Sequence, residues 1–371
     1  MSLGSVMGEG SLGGEGSIGG EGSLGGEGFT GTADGGDSAY LSGALITTRE
    51  GIVAPWTPPE QKPDDGPIDD GAQMRRWEAR VRAHVLDFEL LSAFRLEIPD
   101  GQPIAKLFVG SGPTPLVQLT RPSATILRSS QLQHVYDHAD LRRERSPEIL
   151  TQIKGIEIFL GRGSPVHPER HRRTLELLDA FFRAIVSVEM RIKHGLAVPR
   201  PMEFSPQIMP MIQTPGHGSF PAGHAAESFM LATVLSAVMQ KGNQRYSDWS
   251  EWLARLAARI SVNRVIAGVH FPVDLAAGLT LGLTMGRYFI ALANGTQAEL
   301  PSYAFDGEAY AGGGFPQAEI RSDDILKPDK ELPGAVATKG PGSINLQTLP
   351  QAEKDRRPLC WLWGEAVREW Q

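Results

Sequence analysis

HRRTLELLDAFFRAIVSVEMRIKH, residues 171–194, is the stretch on which the fold turns. Leu175, Leu178, Phe182, Ile185 and Val186 fall on one helical stripe, and Leu177, Phe181 and Val188 fill a second beside it. A helix with two apolar stripes is mostly buried. Working outward, the same period predicts helices at about 222–240, 247–267 and 272–293, with no convincing two-residue alternation among them. An amphipathic stretch follows Ser129, and a helical pattern runs over about 72–94 behind a linker rich in Pro, Asp and Gly from Pro55 to Gly71. The expected fold class is all-α: a helical bundle carrying an oxyanion site at its helix ends, with long irregular N- and C-terminal extensions. The expected parts are a Gly-rich low-complexity arm (1–40), an N-terminal helical and linker part (41–170), a helical core (171–300) and a Pro/Gly-rich C-terminal tail (301–371).

The arm repeats Gly-Glu-Gly-Ser-Leu/Ile-Gly from Gly8 through Gly25, and its few apolar side chains could not offset the backbone entropy lost on ordering. The tail ends in Trp361, Trp363 and Trp370, an apolar hook expected to pack back on the body or on a neighbour. Charge and cysteine content narrow the function. With 36 Lys plus Arg against 43 Asp plus Glu, the net charge of -7 supplies no global field for a nucleic-acid backbone or an anionic membrane. Cys360 stands alone, which excludes an intrachain disulfide framework and a thiolate zinc cage. The two most apolar stretches, Ala225 to Met239 and Leu275 to Ala293, are interrupted by Glu227 and Arg287, and no Lys or Arg precedes Arg49. Neither a membrane span nor a secretory signal is expected, and a cytoplasmic location is the default.

The anomaly lies in basic residues on core faces. The stripe of the first helix runs on to Lys193, and the stripe set by Leu253, Leu256 and Ile260 has Arg264 as its next member. A buried cation without a partner costs several kcal/mol, so each should face an anion. Lys193 and Arg200 can converge from the end of one helix and the loop after it. Gly223 and His224 open the next helix, where free N–H groups and the positive dipole end favour an oxyanion. Pro272 fixes His270 just before the last helix, and Asp274, four residues on, can hold one ring nitrogen of His270 and free the other. Three cations, two histidines and two helix N-termini describe a pocket for a tetrahedral or trigonal-bipyramidal oxyanion.

These residues resemble the three-part signature of the vanadium-dependent haloperoxidases and the type 2 phosphatidic acid phosphatase (PAP2) superfamily: Lys-x6-Arg-Pro, Pro-Ser-Gly-His, and Ser-Arg-x5-His-x3-Asp. The chain has Lys193 to Pro201, Pro221 to His224, and Asn263-Arg264 to Asp274, in that order and spacing, over about a quarter of its length. It departs at Ala222 and at Asn263, each standing where the pattern has Ser. The resemblance implies that Lys193, Arg200, Arg264 and the Gly223 N–H hold the equatorial oxygens, that His270 is the sole protein ligand of vanadium or the phosphate-accepting nucleophile, and that His224 is the acid-base partner.

A long N-terminal section and the want of membrane spans resemble the haloperoxidase branch. The expected function is therefore a vanadate-dependent haloperoxidase that oxidises bromide or iodide, with chloride a further candidate, by hydrogen peroxide, for transfer to a small organic acceptor. Vanadate is the expected cofactor, with Lys193 drawing charge from the peroxo group. His217, five residues before Ala222, resembles the histidine of bromide-oxidising members and is the halide candidate. Two alternatives stand beside this: a soluble acid phosphatase working through a phosphohistidine, and a structural or interaction protein with a vestigial site. A homo-oligomer is left open.

Overall fold

The computed structural model describes residues 39–56, 66–153, 155–310, 313–327, 332–338 and 344–371. The Gly-rich repeat and part of the Pro/Asp linker lie outside the described residues. The longer helices are α1 (Ala39–Ile52), α2 (Ala79–Leu91), α3 (Arg142–Gln152), α4 (Glu157–Arg162), α5 (Arg172–Leu196), α6 (Gly223–Gly242), α7 (Trp249–Ile266), α8 (Pro272–Asn294) and α9 (Pro358–Arg368). The four helices read from periodicity are α5 to α8, each within a few residues of its expected ends.

Helix α8 runs through the centre of the bundle, with nearly all of its residues buried. Its glycines explain how closely α6 approaches. A Cβ on Gly278 would come within 2.5 Å of the Ala222 carbonyl oxygen, and one on Gly282 within 2.3 Å of that of Ala226. Only hydrogen at these positions lets the two backbones meet. The close crossing brings the start of α6 against the start of α8, and the Ala222 N–H donates to the Asp274 carbonyl at 2.9 Å. Two motif segments far apart in sequence are thereby held together at their helix N-termini.

The all-α expectation is corrected: the fold is predominantly helical, with a mixed sheet. Strands β1 (Phe94–Glu97), β2 (Ile104–Val109), β3 (Val117–Thr120), β5 (Ser302–Asp306) and β6 (Ala335–Thr338) form one sheet in the order β1-β2-β3-β5-β6, while β4 (Ala298–Leu300) pairs with β7 (Ile344–Leu346). All pairings in the larger sheet are antiparallel except β3 with β5, which are parallel in the register Val117↔Tyr303 to Thr120↔Asp306. The extensions expected to be irregular thus supply both halves of one sheet. Strands of three to six residues, such as IAKLFV with one face buried and the other half-buried, are too short to leave a period-two signal to read.

The aromatic tail packs on the body. Trp370 stacks on His171 at 3.9 Å between ring centroids, and its Nε1 donates to Thr174 Oγ1 at 2.9 Å. Beside it, the Glu369 carboxylate accepts the N–H groups of Arg173 and Thr174 at 2.7 and 2.8 Å. These are first-turn donors of α5 with no partner inside the helix, and a carboxylate there also meets the positive dipole end. The C-terminus thereby anchors the far end of the helix that carries Lys193. Trp370→Ala is expected to lower stability by about 3–5 kcal/mol through the lost burial and cavity. Urea unfolding measures it, and a loss under about 1 kcal/mol would mean that the anchor contributes little.

Candidate active site

One cavity of about 370 Å³ is lined by Lys193, Arg200, His217, Gly223, His224, Arg264 and His270. Asp274, the remaining residue singled out from the sequence, stands directly behind His270. Residues from four helices and one loop meet because each helix ends or begins at the cavity wall.

Helix α5 stops sharply at Ala197, whose left-handed φ of 48° turns the chain while its N–H closes on the Lys193 carbonyl. Lys193 is buried and its Nζ donates to the Pro221 carbonyl oxygen, with the Ser219 carbonyl at 3.5 Å. Burial lowers its pKa to about 8; the Glu189 carboxylate opposes the shift and Arg200 reinforces it. After the turn, the Arg200 N–H donates to Glu203 Oε1 at 2.6 Å, capping a short helix, Pro201–Phe204. The Arg200 guanidinium spans the site: Nε donates to the His217 carbonyl at 3.0 Å, one terminal nitrogen donates to the Val269 carbonyl at 2.7 Å and faces His270 Nε2 at 2.9 Å, and the other faces His217 Nδ1 at 3.2 Å.

His270 is buried, with Nδ1 at 3.1 Å from Asp274 Oδ2, an oxygen that also accepts the Phe271 N–H at 2.9 Å. An ionised carboxylate only accepts, so Nδ1 carries the hydrogen and the lone pair sits on Nε2, beside Arg200. Burial, with Arg200 and Lys193 adding to it, holds His270 well below its ordinary pKa and so neutral at pH 7. His224 is likewise pushed well down, by burial and then Arg264. Its Nε2 faces the Gln152 carbonyl at 3.3 Å, and its Nδ1 lies 4.0 Å from Glu227 Oε2. His217 falls to about 4, through burial and the two nearby cations. Arg264 comes from the last turn of α7 and donates to Gln152 Oε1 at 2.8 Å.

Two motif departures have visible settings. Ala222 is the fully buried N-cap of α6 and offers no side-chain acceptor there. Asn263 donates to Glu148 and Gln152 at 3.1 and 3.2 Å, which turns its amide toward α3 rather than into the cavity. Among the described residues no group of three or more His, Cys, Asp or Glu side chains is disposed to hold a metal ion.

Sequence reasoning passed over Glu189 and Glu227, both of which line the cavity. Their signals were present. Glu189 stands one turn before Lys193 on the same face of α5, and Glu227 interrupts an apolar run. Asp274 and Glu189 offset part of the cost of burying the three cations, while burial and the neighbouring Glu189 push Glu227 well above the usual carboxylate range.

Residues 175–297 match the PAP2 superfamily. Among curated proteins, the decaprenylphosphoryl-5-phosphoribose phosphatases of two Mycobacterium tuberculosis strains, CDC 1551 / Oshkosh and ATCC 25618 / H37Rv, are each 27% identical over 126 residues, covering 34% of this chain. The match spans 66% of those relatives' own length, just under two thirds. Among solved structures, a transmembrane PAP2 type phosphatidylglycerolphosphate phosphatase from Bacillus subtilis aligns at 15% identity over 59% of this chain and 87% of its own, with a TM-score of 0.27.

Two expectations are corrected here. The curated relatives are phosphatases, so the haloperoxidase reading is overturned in favour of the phosphatase alternative. The motif is common to both branches, and the length of the N-terminal part was the wrong discriminator. The cytoplasmic expectation leaned on the want of a membrane-length apolar segment. Helix α8 has that length and hydropathy, 89% of the relevant window being buried inside the protein, and the mycobacterial relatives are named for a decaprenyl-linked compound. Arg287 lies within that stretch without taking its mean hydropathy out of the membrane-spanning range.

Proposed function

Taking residues 175–297 as a domain of the PAP2 superfamily, we propose that this protein is a phosphatase that hydrolyses a phosphate monoester through a covalent intermediate on His270. The observation that carries the reading is a neutral, Asp274-backed imidazole whose Nε2 lone pair faces the Arg200 guanidinium inside a buried cationic cavity. Lys193, Arg200, Arg264 and the backbone N–H at the start of α6 hold the phosphoryl oxygens and neutralise charge as it spreads over them. His270 Nε2 forms a bond to phosphorus as the bond from phosphorus to the ester oxygen breaks. His224 gives its proton to the departing alkoxide, then takes one from the water that attacks the phosphohistidine and releases phosphate.

In the empty pocket burial keeps His224 neutral. A phosphate monoester bound as its monoanion opposes that burial penalty, since a nearby anion favours the charged ring. Ala222 leaves the site one neutral donor short, worth about 0.5–1.5 kcal/mol. The alcohol part of the ester rests against Met190, Ile212 and Val269, so an ester with some apolar surface fits best. Vanadate, the cofactor expected from the motifs, takes the same donors and in this reading acts as an inhibitor that competes with phosphate.

Release of p-nitrophenol from p-nitrophenyl phosphate, suppressed by vanadate, is the direct test; no release above the uncatalysed rate between pH 5 and 8 refutes the proposal. The pH profile adds a second result. Lys193, lowered to about 8, is charged below that pH and loses its proton above it. The fall of kcat/KM with pH is therefore expected to steepen by about a further tenfold per pH unit above 8, and Lys193→Arg to move that limb upward because a guanidinium keeps its charge. An unshifted limb in Lys193→Arg would assign it to another group.

A further inference from the structure

The reaction above leaves Glu189 without a task. It is fully buried on α5 and lines the cavity, with its carboxylate lying over the first residue of α6, where a Cβ on Gly223 would come within 2.5 Å of Oε1. Neither carboxylate oxygen has a hydrogen-bond partner among the described residues. Charged and titratable groups from each neighbouring element surround the same cavity. Lys193 shares the helix of Glu189 and Arg200 follows; His224 and Glu227 come from α6, Arg264 from α7, and His270 with Asp274 from α8. Glu157 of α4 adds its charge through Glu227.

An unpaired acceptor in this place constrains the ligand. A phosphoryl oxygen held at the start of α6 meets the Glu189 carboxylate, and two acceptors in a water-poor site repel unless one of them carries a proton. With a proton between them the contact becomes a charge-assisted hydrogen bond, among the strongest a protein makes. Inorganic phosphate keeps at least one P–OH through the neutral range, and a monoester keeps one up to a second pKa of about 6. Sulfate keeps none.

We propose that Glu189 is a specificity-determining residue: it admits oxyanions that bring a P–OH proton to its carboxylate and rejects fully deprotonated ones of the same size and charge. The inference rests on the cavity being a phosphate site. Burial raises the Glu189 carboxyl to about 7 while Lys193 and Arg200 pull it down, so below neutrality the carboxyl supplies the shared proton itself and the discrimination relaxes.

Isothermal titration of the whole chain with inorganic phosphate and with sodium sulfate at pH 8 tests this without requiring turnover. Phosphate is expected to bind about ten- to a hundredfold more tightly than sulfate, the worth of one hydrogen bond to a charged group. E189Q, whose amide both accepts and donates, is expected to bring the ratio within about threefold, chiefly by tightening sulfate. Equal binding of the two anions to the wild type, or an unchanged ratio in folded E189Q, overturns the inference and leaves the phosphate-site reading standing. Failure of phosphate to bind overturns that reading itself. Should E189Q not fold, the wild type at pH 8 decides alone with monofluorophosphate, a dianion of phosphate's shape that carries no P–OH: it is expected to bind as weakly as sulfate, and binding as tight as that of inorganic phosphate rejects the proposal.

Discussion

His270→Ala is expected to lower kcat for phosphate release by about 10⁴- to 10⁶-fold, the loss that follows removal of a nucleophile acting as part of a unit. The cradle of Lys193, Arg200 and Arg264 does not depend on that ring for its charge, so inorganic phosphate should still bind. Rapid quenching with a radiolabelled phosphate ester gives the sharper result. With a p-nitrophenyl ester, whose leaving group departs without a proton, the wild type should carry acid-labile label on protein, His270→Ala none, and His224→Ala should take up label yet release it slowly, because attack on phosphorus needs Nε2 of His270 whereas water activation needs His224. Label of equal yield in His270→Ala and the wild type would move the nucleophile elsewhere.

Two replacements of Asp274 should separate, and their difference tests what its carboxylate does. Its Oδ2 accepts both the His270 ring hydrogen and the Phe271 N–H. In Asp274→Asn a carbonyl oxygen in the same position can keep both hydrogen bonds, so the loss is that of the negative charge that stabilises His270 once it bears a phosphoryl group. Hydrogen bonds to charged groups exceed neutral ones by about 1–2 kcal/mol, and the cation formed on the ring adds to this, so kcat should fall by about ten- to a thousandfold with thermal stability near that of the wild type. Asp274→Ala leaves two buried donors unpaired and the Arg200 charge less compensated, at a cost of about 3–5 kcal/mol in unfolding free energy. Urea unfolding together with steady-state rates decides it. If both variants are equally stable and equally slow, the carboxylate does not orient the ring.

The helices and the cavity's cationic side were legible because they rest on local spacing. Leu175 to Val188 repeat with the helical period, and Lys193 and Arg264 stand out where that period demands an apolar residue. His270 and Asp274 sit four apart across the start of a helix, a separation that brings two side chains together whatever surrounds them. The sheet was not legible. Val117 to Thr120 and Ser302 to Asp306 pair in parallel across more than 180 residues of sequence, and neither is long enough to announce itself.

Sequence alone therefore determined which residues could hold an oxyanion and which helices would present them, since helical period, caps and four-residue spacing are properties of the chain itself. Tertiary structure decided which groups share the cavity and in what state. That Glu189 lies over Gly223, that Arg200 reaches Val269, His217 and His270 together, and that Gly278 and Gly282 let two helix starts meet depend on packing between distant segments. Burial in that packing, rather than residue type, makes the histidines neutral, raises Glu189 and lowers Lys193, because removing water penalises whichever form carries the charge.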